Sequence, residues 1–106
     1  MQISDKQIEQ FNEQGYLFFP SLFSADEINV LVAELDGILC SHRPETVREK
    51  GSDAVRTAFG VHMYNAAYGR LARHPRMVEP ARQIYDEDVY MHQFKVNAKA
   101  AFDGEV

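Results

Sequence analysis

The chain has 106 residues, enough for one small domain with a modest core, and a formal net charge of −5 from 16 acidic and 11 basic side chains. That balance excludes a surface built for nucleic acid or an anionic membrane, since both need clustered Lys and Arg. The lone cysteine, Cys40, excludes an internal disulfide and suits a reducing compartment; no apolar run is long enough to cross a bilayer, and the expected location is the cytoplasm.

Ser4-Asp5-Lys6-Gln7 is a capping-box pattern, with Ile3 and Ile8 placed as a hydrophobic staple. It predicts a helix to about Gln14 that stops at Gly15, which can take the left-handed C′ conformation. Tyr16-Leu17-Phe18-Phe19-Pro20 is almost continuously apolar and predicts a short buried strand covered on both faces. Ser24-Ala25-Asp26-Glu27 repeats the capping box, again with a staple, from Phe23 to Ile28. Beyond it Ile28, Leu31, Val32, Leu35, Ile38 and Leu39 recur at helical spacing, a single stripe that reads as core. Residues 41–52 are polar, hold Pro44 and Gly51, and predict a loop with one helical turn around Glu45 to Glu49. Val55 to His62 reads as a short strand or extended segment, and Tyr64, Ala67, Tyr68 and Leu71 as a short helix. A helix unbroken through Pro80 would lose a hydrogen bond, so a turn is expected after Pro75, then a helix through Ile84.

Val89 to Ala98, rich in β-branched and aromatic residues, reads as a strand. Met91, Gln93, Lys95 and Asn97 would share one face; Tyr90, His92, Phe94 and Val96 would share the other. Gln93 and Asn97 would stand about 13 Å apart on the polar row. The pattern alone leaves two readings open, a solvated edge and the wall of a ligand cavity. The sequence then runs to Phe102-Asp103-Gly104-Glu105-Val106 with no closing element, and reads as interrupted.

None of the four histidines forms a His-x-Asp, His-x-x-x-His or His-Glu-x-x-His pair, so no local spacing supports a zinc or iron site. His42 and His74 are expected at the surface, His62 and His92 as hydrogen-bonded structural residues. Cys40 lacks an activating partner and is expected to serve packing.

The run His92-Gln93-Phe94-Lys95-Val96-Asn97-Ala98-Lys99-Ala100-Ala101-Phe102-Asp103-Gly104 resembles the segment just ahead of the iron site in the phytanoyl-CoA dioxygenase family, above all its ectoine-hydroxylase-like branch. Phe11-Asn12-Glu13-Gln14-Gly15-Tyr16-Leu17, Leu22-Phe23-Ser24-Ala25-Asp26-Glu27-Ile28, Val55-Arg56 with His62, and Leu71-Ala72-Arg73-His74-Pro75 leading to Ala81-Arg82-Gln83 agree in order and spacing. The resemblance implies an α+β chain: the N-terminal part of a single dioxygenase domain on a double-stranded β-helix (jelly-roll, cupin-like) fold. A helical buttress would span about 1–86 and the first cavity-lining strand about 89–98. It implies Fe(II) and 2-oxoglutarate as cofactors of the complete enzyme. Their iron is held by a His-x-Asp pair and a distant His, a facial triad expected beyond Val106. No catalytic or metal-ligating residue is therefore assigned in this chain.

The matching Gln in that branch contacts the organic substrate and the matching Asn hydrogen-bonds 2-oxoglutarate, which makes Gln93 the expected substrate-binding residue and Asn97 the expected cofactor-binding residue. An amide suits both tasks, offering donors and an acceptor without charge near the iron. Phe94 replaces a small polar residue common in that branch. Arg56 matches a family Arg near the active-site entrance, and an ion pair is an equal reading of it. The expectation is a segment of a hydroxylase of a small organic molecule, inactive alone, binding neither cofactor tightly, and self-associating through its unpaired strand. The alternatives are a standalone non-catalytic α+β module that binds a partner through the polar face of its last strand, and, with least support, a metal-binding protein built on His62, His74 and His92.

Overall fold

In the computed structural model, which describes residues 2–48 and 55–99, both capping boxes form at the serines that signal them. Helix α1 (Asp5–Gln14) starts with Ser4 accepting from the Gln7 amide while Gln7 Oε1 accepts from Ser4 N at 2.8 Å. It ends where expected, at Gly15 with φ 85°, whose N–H donates to the Phe11 carbonyl at 2.7 Å. The helix itself buries no residue. What ties it down is Ile3, which is buried and exchanges two hydrogen bonds with the Gln83 amide, at 2.8 and 3.2 Å.

Helix α2 (Ala25–Leu39) is capped by Ser24 and Glu27 in the same way. Its stripe is covered only in part: Ile38 is buried and Leu31 and Leu35 pack beside it, while Val32 remains 54% exposed. Cys40 is the exposed C-cap residue, which corrects its expected packing role.

The strands depart most from the sequence reading. Tyr16 to Pro20 forms no strand, and Phe18 is 78% exposed. A strand needs a neighbour to satisfy its backbone, and none of the described strands lies beside this segment. Left-handed backbone at Gly15 (φ 85°) and Ser21 (φ 54°) brackets it. Within 41–52, Thr46–Arg48 is strand β1 in place of the expected helical turn, because pairing with a later strand overrides local preference; residues 49–52 lie outside the described residues. Strand β2 (Val55–Phe59) is the centre of a three-stranded antiparallel sheet of order β1-β2-β3. The expected helical buttress thus contains two of the three strands.

After β2, Gly60 turns the chain with φ 61° into α3 (Val61–Tyr64) and α4 (Ala66–Ala72), the latter capped by Asn65. Helix α5 (Pro75–Tyr85) runs straight through Pro80, against the expected turn. Pro75 at the first turn presets the helical φ, His74 caps the end, and Pro80 is buried, so packing outweighs one missing amide donor. The final strand, β3, covers only Lys95–Asn97, shorter than the expected 89–98. β2 offers pairing only as far as Gly60, whose N–H meets the Phe94 carbonyl at 2.7 Å; upstream of that point no described strand is adjacent.

The core lies between the helices and one face of the sheet. Ile38, Ala58, Val61 and Tyr68 form its centre, with Leu71, Phe94 and Val96 packed against it. Tyr68 satisfies its hydroxyl on the Leu31 carbonyl at 3.1 Å, so α2 and α4 are joined at the core's edge.

Candidate functional site

Strand register decides which side chains share the open face of the sheet. Thr57 stands opposite Asn97 and Val47, and Phe59 opposite Lys95; in an antiparallel ladder such partners project to the same side. Ala58 and Val96, the intervening pair, face the core. The open face therefore carries Val47, Thr57, Phe59, Lys95 and Asn97, and of these only Thr57 is buried. The expected alternation thus holds from Phe94 to Asn97, while Tyr90, at 85% exposure, and His92 lie outside it in solvent.

Asn97 is fixed from across the ladder: Thr57 Oγ1 donates to its Oδ1 at 3.0 Å. With the amide oxygen held there, the NH2 group is what Asn97 can present to a ligand, and a donor is what a carboxylate requires. The neighbouring Ala98 N–H closes the ladder on the Arg56 carbonyl at 2.9 Å. Gln93 is exposed and precedes the ladder, so the structure places it on the same stretch of chain as Asn97 without a ladder partner to hold it.

A concavity of about 880 Å³ lies elsewhere, between α4, α5 and residues 88–94. Its wall includes His62, Met77, Tyr85, Tyr90, Met91 and Phe94, and neither Gln93 nor Asn97. His62 is half-buried and stacks on Phe94 with ring centroids 5.0 Å apart; its Nδ1 is shut from solvent without a partner among the described residues, which supply no structural hydrogen bond at that atom. His92 is exposed, which corrects its expected structural role. His42 is exposed, as expected. His74, expected at the surface, is instead the half-buried cap of α5: its Nδ1 accepts from Arg76 N at 3.1 Å, and its ring meets Phe23 edge-on. Among the described residues no group of three His, Cys, Asp or Glu side chains could hold a metal ion, which removes the reading of a metal protein built on His62, His74 and His92.

Sequence reasoning missed the ion pair of Glu27 with Arg76. Arg76 grips both carboxylate oxygens of Glu27, donates to the Leu22 carbonyl at 2.6 Å and lies over the Phe23 ring. The Arg76 hydrogen bonds, followed by the Ser24 amide, hold the Glu27 carboxyl down at about 2. The pair spans 49 residues, so no local spacing could announce it.

No family model matches the chain. It is 37% identical over 107 residues to the ectoine dioxygenase of Bordetella bronchiseptica, covering 97% of this chain and 35% of that protein. It is 38% identical over 95 residues to the L-proline trans-4-hydroxylase of Streptomyces griseoviridis, covering 90% and 35%. Its fold superposes on EctD from S. alaskensis with a TM-score of 0.82 for the crystal structure with bound Fe and 0.80 for that with 2-oxoglutarate and 5-hydroxyectoine, at 30% identity, over 90% of this chain and 35% of that one. The chain thus spans about a third of the length of the proteins it matches. Fold and sequence together define the class it resembles: an α+β segment similar to about a third of the length of these dioxygenases. Within that class the segment is ectoine-hydroxylase-like.

Proposed function

We propose that this chain supplies the helical support and part of the sheet wall of an Fe(II)/2-oxoglutarate-dependent hydroxylase of a small organic molecule, with Asn97 touching 2-oxoglutarate and Gln93 touching the substrate. The supporting observation is the Thr57–Asn97 bond on the open face of the sheet, which turns a flexible amide into an oriented donor. Exposed Lys95 on the same face adds a positive charge suited to an anionic co-substrate. When bound, iron and 2-oxoglutarate supply the oxidising chemistry, and the protein's part is to bind and orient. The described residues offer no metal site, so iron would be held outside them. They do fit 2-oxoglutarate in one respect: the Asn97 NH2 can meet a carboxylate oxygen. Relatives named for ectoine and L-proline favour a small amino-acid-like substrate.

In the complete enzyme, Asn97→Ala should raise the KM for 2-oxoglutarate, whereas Gln93→Ala should raise the KM for the organic substrate. One neutral hydrogen bond is worth about 0.5–1.5 kcal/mol, so each effect should be several-fold, not absolute. Steady-state kinetics with both co-substrates varied would decide it, and equal, negligible effects of the two changes would remove these residues from the site. The 106-residue chain by itself should release no succinate from 2-oxoglutarate and Fe(II).

A further inference from the structure

Phe94 sits between Gln93 and Lys95, at the point where the last strand meets the rest of the fold. Its carbonyl accepts from Gly60 N–H at 2.7 Å, the last backbone bond before the chain leaves β2. Its ring is gripped from two sides: His62 stacks on it at 5.0 Å with 30° between planes, and Tyr68 meets it edge-on at 6.2 Å and 81°. His62 has little freedom of its own. Val61 before it is fully buried, and α4 approaches so closely that a Cβ on Gly69 would stand 2.9 Å from the His62 carbonyl oxygen. Side chains alternate across a strand, so whatever sets the depth of Phe94 on the core side sets the height of its neighbours on the other.

We propose that His62 is a positioning residue: by stacking on Phe94 from the core side, it sets the placement of the stretch of chain that carries Gln93 and Asn97 on either side of Phe94 and Val96. The proposal rests on the assignment of those two amides to substrate and 2-oxoglutarate. The His62 Nδ1 is buried and without a partner among the described residues, so its ring works here through its face and not through a hydrogen bond. A phenyl ring should therefore replace it, and would remove an unsatisfied buried atom.

The test compares His62→Ala, His62→Leu and His62→Phe in the complete enzyme. The first readout needs no turnover: hydrogen exchange across residues 93–99 and calorimetric binding of 2-oxoglutarate. His62→Ala should speed exchange in that stretch and weaken 2-oxoglutarate binding by about two- to tenfold, the scale of one aromatic pair, while His62→Phe stays within about twofold of the parent. In kinetics, His62→Ala should raise both KM values and leave kcat nearly unchanged. His62→Leu fills the volume without an aromatic face; it should behave as His62→Ala does and stands in if that variant does not fold. Unchanged exchange and binding in His62→Ala and His62→Leu would overturn the proposal. So would a His62→Phe variant as impaired as His62→Ala, since the ring nitrogen would then carry the role. Faster exchange at 93–99 with unchanged 2-oxoglutarate binding would leave His62 as the positioning residue and count against the assignment of Asn97 instead.

Discussion

Glu27 does two jobs with one carboxylate: it closes the capping box of α2 through Ser24 N at 2.9 Å and anchors Arg76 at the start of α5. Folding lowers its pKa from 4.5 to about 2, chiefly through the Arg76 hydrogen bonds. A carboxyl depressed by folding stabilises the fold fully above its unfolded value and loses that contribution as pH falls through its folded value. The advantage of the parent over Arg76→Met in urea midpoint should therefore hold from neutral pH down to 4.5 and shrink between 4.5 and about 2. The pair is partly exposed, so the difference should be small. Gly69 is a second sensitive residue. A Cβ there would press on the His62 main chain at 2.9 Å, which is backbone and cannot swing aside. Gly69→Ala should lower stability by about 1–3 kcal/mol of overpacking, partly offset by about 1 kcal/mol of helix propensity, measurable as a lower urea midpoint.

At the level of elements, the two capping boxes have the same chemistry and different consequences. Ser24→Ala removes a cap from α2, which contributes Ile38 to the core, and should lower global stability by about 1 kcal/mol. Ser4→Ala removes the same bond from α1, which buries nothing, so its effect should appear as faster hydrogen exchange within α1 with little change in the global midpoint. A matched fall in midpoint for both variants would show that α1 is coupled to the core more tightly than its burial indicates. The helix starts at Ser4 and Ser24 are legible because each capping box lies within four residues of chain; the course of α5 through Pro80 is not, because burial of that ring depends on residues distant in the chain.

The whole molecule is more drawn out than a self-contained domain of its length. Its radius of gyration is 16.4 Å, against about 13 Å expected for a compact chain of this size. Large apolar side chains stay exposed along α2, on the open sheet face and around the α5 cleft, among them Val32, Phe59 and Tyr85. Such patches rarely persist on soluble monomers, and β1 and β3 each have one unpaired edge among the described residues. The isolated chain should self-associate, seen as a sedimentation coefficient that rises with concentration. A concentration-independent species near 12.1 kDa would show that it closes its own core, and would favour a standalone module.

By itself the sequence determined the helix caps at Ser4 and Ser24, the stop at Gly15 and the dioxygenase resemblance of the stretch from His92 to Gly104, because each is written in a short contiguous run. It also carried the alternation from Phe94 to Asn97, since a strand's two faces follow from its period. Only the tertiary structure decided that β2 is the central strand of the sheet, that Tyr16 to Pro20 pairs with none of the described strands, and that the amide of Asn97 is oriented by Thr57, 40 residues earlier in the chain. Strand pairing and ion pairs such as Glu27–Arg76 join residues far apart in sequence, and their partners are chosen by the packing of the whole fold, not by any local pattern.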